Sequence, residues 1–218
     1  MDGAISILYE DEDIVAADKP EGLAAIPERR PQSASLVELL QAQRGERLYI
    51  VHRIDKETSG LILFARNAEA HRRLNRQFEK RCVEKTYLAL VHGRLANDDG
   101  VIDAPLRQCG SGRVAVDPQR GKPSVTEFRV VERFATTTLV EARPRTGRRH
   151  QIRVHFYHLG HPILGDPLYG DKTQQAGYPR LMLHAQTIKL QLPSGQNKTL
   201  ESPLPKSFRV VLDAAANT

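Results

Sequence analysis

The chain has 218 residues, 40% of them hydrophobic and 27% charged, a composition that fits a folded globular protein and excludes a disordered one. Its 32 Lys and Arg residues outnumber its 26 Asp and Glu residues. The net charge of +6 favours a polyanionic partner such as nucleic acid, although a solvated basic surface gives the same balance. The sequence has no secretion-signal pattern and no apolar run of about 18 residues, so we expect a cytoplasmic protein without a membrane span.

The N-terminal part predicts two strands, a loop and a capped helix. Apolar runs at residues 5–9 and 14–18 are typical of strands. An irregular loop that contains Pro31 follows the second strand. A short helix then begins at Ser35, because Ser35 and Glu38 have the spacing of a capping box.

The next stretch contains the candidate catalytic carboxylate. Residues 52–60 are charged or small, and they run directly into the apolar residues 61–65, which have the length of a buried strand. A polar turn that feeds a buried strand can hold a side chain rigidly at the floor of a cleft, and Asp55 is our candidate for that side chain. An isolated aspartate of this kind is more often only a turn residue or a helix cap. A catalytic role for Asp55 therefore needs support from other residues of the chain.

The middle of the chain predicts an amphipathic helix over 67–80 and a strand over 85–93. The basic residues of that helix suit either a solvated exterior or a surface that faces RNA. The Gly-rich, basic segment 110–122 is too polar for a core and predicts a flexible loop. Residues 126–130 and 137–142 predict an antiparallel hairpin.

The C-terminal part begins with five arginines within residues 143–153. Thr146 is the predicted N-cap of a helix that ends at Gly160. An ordered loop, a strand, a hairpin turn and a short helix follow at residues 162–170, 185–192, 194–197 and 207–212. Because strands outnumber helices and most connections are short, we expect an α+β fold with a mixed, largely antiparallel sheet flanked by helices and loops, in a single domain over 1–218.

Metal and nucleotide chemistry find little support in the sequence. None of its eight histidines forms an H-x-x-x-H pair with a glutamate. Cys82 and Cys109 lie outside any Cys/His metal pattern and are expected to be free thiols rather than a disulfide. No phosphate-binding glycine loop occurs, and Thr58-Ser59-Gly60 predicts a turn rather than a nucleophile elbow. We therefore expect no metal and no nucleotide cofactor.

Once metal and nucleotide chemistry are set aside, the residues that can carry a reaction are a carboxylate, a tyrosine and several arginines. A paired arginine keeps a recessed carboxylate ionised by opposing the cost of desolvation. Such a carboxylate can act as a nucleophile or a base at a sugar carbon, an aromatic such as Tyr87 can stack on a flipped base, and arginines can hold phosphates. Taken singly, however, Tyr87 is more often a core residue, Arg153 a surface residue, and His184 a buried, hydrogen-bonded imidazole.

Six stretches, in chain order, resemble the motifs of the RluA family of pseudouridine synthases: residues 14–23, 52–61, 85–87, 146–155, 160–166 and 183–185. The second stretch departs from the family signature only at Ile54, an apolar isostere of the family's leucine. One such motif alone is a weak signal. Six in order over nearly the whole chain form a strong one, and they imply the pseudouridine synthase catalytic fold.

The resemblance implies that the protein isomerises specific uridines in structured ribosomal or transfer RNA to pseudouridine, without a cofactor. It makes Asp55 the catalytic carboxylate, Tyr87 a residue that stacks on the target base and assists proton movement, and Arg153 the partner of Asp55. Arg53 would take the space that the flipped uridine vacates, and Leu183 would line the base pocket. The other motif residues expected at the substrate are His52, Thr58, Lys85, Arg148, Gln151 and Ile152.

The sequence leaves open whether Asp55 attacks the sugar or first abstracts a sugar proton, and which uridine is the target. Many relatives carry an additional N-terminal RNA-binding domain of the S4 type. Because the first predicted strand begins at Ile5, we expect no such domain here. The basic segments 72–81, 113–122 and 143–149 would then contact RNA, and we expect a monomer.

Two other functions compete with the isomerase. One is a non-catalytic RNA-binding or ribosome-assembly module on the same fold, and the other, weaker one is a hydrolase that uses Asp55. The combination of Asp55, Tyr87 and Arg153 favours the isomerase, because binding alone does not need a recessed carboxylate.

Overall fold

The computed structural model describes residues 4–28, 33–110 and 112–217. The loop prediction at Pro31 and the part of segment 110–122 at Ser111 lie outside these residues. The chain forms two compact units: a first unit that runs to Lys85 and also includes Ala185–Pro203, and a second unit made of Thr86–His184 and the residues from Leu204 onward. None of the helices in the described ranges has the length and apolar character needed to cross a membrane.

The first unit is a sheet with two helices. In its sheet β1, β2, β4 and β11 lie side by side in that order, while β3 pairs with β4 and β12 pairs with β11. The strands are β1 (Ile7–Glu10), β2 (Ile14–Lys19), β3 (Tyr49–Ile50), β4 (Ser59–Ala65), β11 (Leu183–Gln191), which begins in the second unit, and β12 (Asn197–Glu201). The helices are α1 (Leu36–Arg44) and α2 (Ala68–Glu79).

Strand β4 is the centre of this unit, and all seven of its residues are buried. Leu61 and Leu63 pack with Leu74 of α2 on one face, whereas Ile62 and Phe64 pack against α1 on the other. A strand covered on both faces needs apolar residues at every position, which is why this run does not alternate. The prediction of a buried strand directly after the Asp55 turn is confirmed.

Both helices of the first unit start where the sequence predicts. The Ser35 N–H donates to Glu38 Oε2 at 2.8 Å, so the capping interaction expected for α1 is present. The Asn67 side chain caps α2 by accepting the Ala70 N–H at 2.8 Å. These local signals fix the start of each helix.

The second unit combines a four-stranded antiparallel sheet, in the order β5-β10-β9-β6, with a separate two-stranded hairpin, β7-β8, and three helices. Its strands are β5 (Glu84–His92), which begins in the first unit, β6 (Asp99–Asp103), β7 (Leu106–Gln108), β8 (Val114–Val116), β9 (Val125–Arg133) and β10 (Thr137–Pro144). Its helices are α3 (Gln151–His158), α4 (Lys172–Ala176) and α5 (Lys206–Ala216). The predicted mixed, mostly antiparallel sheet with helices is confirmed.

Two predictions for the second unit are wrong, and one of its helices was not predicted. The segment 110–122, predicted to be a polar loop, contains β8, and Val114 of that strand is buried. Helix α3 begins after His150 rather than after Thr146, because the Thr146 hydroxyl donates to Gln151 Oε1 at 2.7 Å instead of capping a helix. The helix α4 was not predicted.

Gly60, the second residue of β4, has φ +110°, and a Cβ built there would lie 2.3 Å from the Ala185 carbonyl oxygen. We therefore expect Gly60→Ala to cost more than about 3 kcal/mol of unfolding free energy, because both backbone strain and a backbone clash oppose it. Gly195, at φ +93° with open space around its Cβ position, is the matched control, and Gly195→Ala should cost about 1 kcal/mol. Urea unfolding of both variants measures the difference, and equal losses would contradict this account of β4.

Candidate active site

The turn that carries Asp55 is anchored by a lysine to which the sequence analysis gave no role. Lys19 is fully buried, and its ammonium donates to the carbonyls of Pro20 (2.8 Å), Leu23 (2.7 Å) and Lys56 (2.9 Å). The Lys56 carbonyl also accepts the Gly22 N–H at 2.9 Å. Three carbonyl dipoles compensate the buried charge, so this ammonium fixes the backbone directly after Asp55.

Asp55 is half-buried, and its carbonyl accepts the Thr58 N–H at 3.1 Å to close the turn. Arg53, two residues earlier, is exposed, whereas Thr58 is buried at the start of the core. The turn therefore exposes Arg53 while it holds Asp55 partly enclosed. The placement of Asp55 on open surface, which would have removed it as a candidate, is not observed.

His52 has a structural function in the first unit. Its Nε2 accepts the Leu63 N–H of β4 at 3.0 Å, and its ring stacks on Phe78 with centroids 4.9 Å apart. Burial, with the positive charge of Lys85 as a second cause, lowers the pKa of His52 to about 3. The neutral ring thus accepts a backbone N–H of β4 at Leu63, next to the residues of β4 that pair with β3. Contact of His52 with a substrate stays a prediction.

Lys85, the last residue of the first unit's N-terminal part, is half-buried. Burial lowers the pKa of its ammonium, because a charged group loses solvation there. Its predicted contact with RNA is compatible with this position but is not tested by it.

In the second unit, Arg153 is a buried residue of α3 and not the surface residue that an isolated helical arginine suggests. Its Nε and Nη2 donate to Asp166 Oδ2 and Oδ1, each at 2.7 Å, and the two side chains are 1% and 0% exposed. Such a bidentate pair fixes the guanidinium plane. That Arg153 also pairs with Asp55 stays a prediction from the family resemblance.

Asp166, which the sequence analysis placed in a family stretch without a role, is therefore the residue that orients Arg153. Its Oδ1 additionally accepts the N–H groups of Leu168 (2.9 Å) and Tyr169 (3.1 Å). The Tyr169 ring lies next to the guanidinium, with Arg153 Cζ 5.4 Å from the ring centroid. The only sequence signal for this arrangement is the position of Asp166 in the 160–166 stretch.

Gln151 and Ile152, both predicted to contact RNA, are buried at the start of α3. The Gln151 amide donates to the Val125 carbonyl (2.9 Å) and to Thr126 Oγ1 (3.0 Å), and it accepts from the Arg148 N–H (3.0 Å). These bonds hold the start of α3 against β9. Contact of either residue with RNA stays a prediction.

Tyr87, Leu183 and Arg148 differ in how far they are buried. Tyr87 is half-buried in β5, opposite Ala142 of β10, and it packs against the core of the second unit. Leu183 is buried in the same core, and Arg148 is exposed. His184 is buried, as predicted, with its ring 6.5 Å from that of Phe208.

Metal-binding side chains do not cluster: within the ranges that the structure describes, no three His, Cys, Asp or Glu residues come together as potential ligands. Cys82 and Cys109 are free and exposed, as predicted.

Comparison with known proteins gives concordant results. Over 98% of this chain, the sequence is 41% identical to the ribosomal large subunit pseudouridine synthase D of Nitrosomonas europaea, of which it covers 66%. It is also 41% identical to the ribosomal large subunit pseudouridine synthase C of Vibrio parahaemolyticus, with 92% of this chain and 67% of that protein covered. The chain thus spans about two thirds of the length of these curated relatives.

A solved structure, the human RNA pseudouridylate synthase domain containing 4, has the same fold. Its TM-score is 0.80 at 27% sequence identity, and the match covers 95% of this chain and 92% of that one. Residues 13–158 match the sequence family described as RNA pseudouridylate synthase. The chain therefore belongs to the RNA pseudouridylate synthase family.

Proposed function

We propose that this protein is a pseudouridine synthase, an isomerase that converts uridine to pseudouridine in ribosomal RNA, with Asp55 as its catalytic carboxylate. Family membership and the names of its curated relatives support the reaction and the type of RNA. The observation that carries the assignment of Asp55 is the turn around it, which Lys19 and Gly22 anchor through the Lys56 carbonyl. The cytoplasm is the proposed location, because ribosomal RNA is found there in bacteria.

The reaction breaks the bond between uracil N1 and the ribose, turns the base, and forms a bond from C5 to the same ribose carbon. The hydrogen on C5 is lost to water, and N1 gains a proton, so that substrate and product are isomers. Asp55 acts at the sugar as a nucleophile or as a base. In either role an ionised carboxylate is required, and a fixed position raises its effective concentration.

Arg153 is the proposed cationic partner of Asp55, as the family resemblance implies. Asp166 engages the Nε and Nη2 of Arg153 and so fixes the plane of the guanidinium that this pairing would use. Tyr87 stacks on the target base after it leaves the RNA helix, Arg53 fills the space that the base vacates, and Leu183 lines the pocket.

The exposed arginines of the second unit are not equivalent as phosphate contacts. Arg143 pairs with Glu141 at 2.7 Å and Arg145 with Glu127 at 2.8 Å, so a carboxylate offsets each charge. Arg148 and Arg149 are exposed, and the salt bridges of the described residues give neither of them a carboxylate partner. We assign the phosphate contacts of this region to Arg148 and Arg149.

A non-catalytic RNA-binding module on the same fold is the second candidate. The same basic surface would serve it, but a carboxylate held in an anchored turn would have no function there. Transfer RNA is the second candidate substrate, and the names of the relatives favour ribosomal RNA over it.

An unmodified transcript of bacterial large-subunit ribosomal RNA, labelled with tritium at uridine C5, should release tritium to water when it is incubated with the protein. Release is expected because C5 exchanges its hydrogen for a bond to carbon. Scintillation counting of the supernatant measures it, and transfer RNA transcripts provide the comparison. Binding of these RNAs without any release would support the RNA-binding module instead.

Asp55→Asn should lower tritium release at least 10³-fold, because an amide can neither attack the sugar nor take up a proton from it. RNA affinity should stay within about tenfold, since phosphate contacts dominate it. Asp99→Asn, which changes an exposed aspartate of β6 in the same way, is the matched control and should retain activity. Turnover by the Asp55 variant at a rate close to that of the unchanged protein would remove Asp55 from its role.

The slope of log affinity against log salt concentration is negative. Arg148→Gln and Arg149→Gln should each reduce its magnitude by about one, because each removes one phosphate contact. Arg143→Gln is the control, and we expect a smaller effect from it because Glu141 already offsets this charge. Filter binding between low and moderate salt gives the slopes. Equal slopes for all three variants and the unchanged protein would contradict the assignment of these contacts.

A further inference from the structure

Tyr169 is a buried tyrosine whose hydroxyl connects two exposed basic segments of the second unit. Its side chain is 4% exposed. Its phenol oxygen accepts the Val114 N–H of β8 at 2.9 Å and is hydrogen-bonded to His150 Nδ1 at 2.9 Å. Val114 follows the exposed Arg113, and His150 follows the exposed Arg149. One hydroxyl therefore binds the backbone N–H of the residue after Arg113 and the side chain of the residue after Arg149.

The hydrogen bonds of His150 have a defined direction. Arg149 Nε donates to His150 Nε2 at 3.3 Å, which leaves Nδ1 as the protonated nitrogen that donates to the phenol oxygen. His150 also has a φ of 55°, a left-handed conformation that is strained for a residue with a Cβ. The bond to Tyr169 helps to hold this conformation, from which α3 begins.

The ring of Tyr169 lies close to two guanidinium groups. Arg153 Cζ lies 5.4 Å and Arg113 Cζ 5.8 Å from the ring centroid, distances at which cations are attracted to an aromatic face. Arg113 also donates to the Leu168 carbonyl, next to Tyr169 in the chain. Leu106, Val114 and Val154 pack with the ring in a small apolar cluster.

The backbone of Tyr169 is tied to the same group that orients Arg153. Asp166 Oδ1 accepts the Tyr169 N–H while it also accepts from Arg153 Nη2. A continuous set of bonds thus runs from the exposed Arg113 and Arg149 through Tyr169 to the buried Arg153.

We propose that Tyr169 is a positioning residue with two roles, one toward the RNA-binding arginines Arg113 and Arg149 and one toward the orientation of Arg153. The proposal rests on the proposed function for the role of Arg153. The hydroxyl aligns the two exposed arginines with the RNA phosphates, and the ring supports the Arg153 guanidinium. The two parts of the side chain therefore affect different steps, RNA binding and turnover.

Two variants separate these parts. Tyr169→Phe keeps the ring and loses both hydroxyl bonds, so the KM for the large-subunit ribosomal RNA transcript should rise about fivefold or more while kcat stays within twofold. Tyr169→Leu also loses the ring, so kcat should fall at least tenfold. Tyr157→Phe is the matched control: this half-exposed tyrosine has its ring 5.9 Å from that of Tyr169, and its substitution should change neither constant.

A double-mutant cycle of RNA affinities tests whether the Tyr169 hydroxyl acts through Arg113 and Arg149. It needs no turnover, and the ring is retained. Tyr169→Phe should weaken binding of the transcript about fivefold in the unchanged protein. In a background of Arg113→Gln and Arg149→Gln its effect should fall below twofold, because the arginines through which it acts are absent. Circular dichroism melts confirm that each variant is folded at the assay temperature.

An affinity unchanged by Tyr169→Phe, or a loss of the same size in both backgrounds, would overturn the proposal. So would a kcat unaffected by Tyr169→Leu in a folded, active protein. A chain that binds the transcript but releases no tritium would refute the proposed function, while the affinity cycle would still decide whether Tyr169 aligns the two arginines. Absence of binding to the transcript would overturn both proposals.

Discussion

The buried ammonium of Lys19 is the interaction on which the candidate active site depends most directly. It binds three backbone carbonyls, one of which belongs to the residue after Asp55, and it lies at the end of a strand paired with β4. The turn is therefore held at two points. Lys19 binds the carbonyl of Lys56 within the turn, and the fully buried β4 follows the turn in the chain. A carboxylate in a turn that is already fixed loses less conformational freedom when a substrate binds, and such preorganisation lowers the entropic cost of a reaction.

In the second unit, the buried guanidinium of Arg153 is likewise held in a fixed position. A buried guanidinium is costly unless its donors are satisfied, and Asp166 satisfies two of those of Arg153 with a bidentate pair. Asp166 in turn organises the backbone of Leu168 and Tyr169, so the ion pair and the neighbouring loop form one structure. This support fixes the plane of the Arg153 guanidinium.

Local sequence signals predicted much of the fold. The capping pair of Ser35 and Glu38 and the continuous apolar run of β4 each act within a few residues, and both predictions were confirmed. The features that were missed depend on distant partners: Lys19 reaches a carbonyl 37 residues away, and the Tyr169 hydroxyl binds the Val114 N–H 55 residues away. Periodicity and propensity contain no information about such pairs, and the family resemblance marked the stretches that contain Lys19 and Asp166 without their roles.

The central claim is that the chemistry needs a carboxylate held in one place by the Asp55 turn. Asp55→Glu tests it most directly, because this variant keeps the charge and moves the carboxylate by one methylene group. In single-turnover experiments with excess protein and tritium-labelled ribosomal RNA transcript, the account predicts a rate about 10²-fold below that of the unchanged protein, with RNA affinity retained. A rate within threefold of the unchanged protein would contradict it.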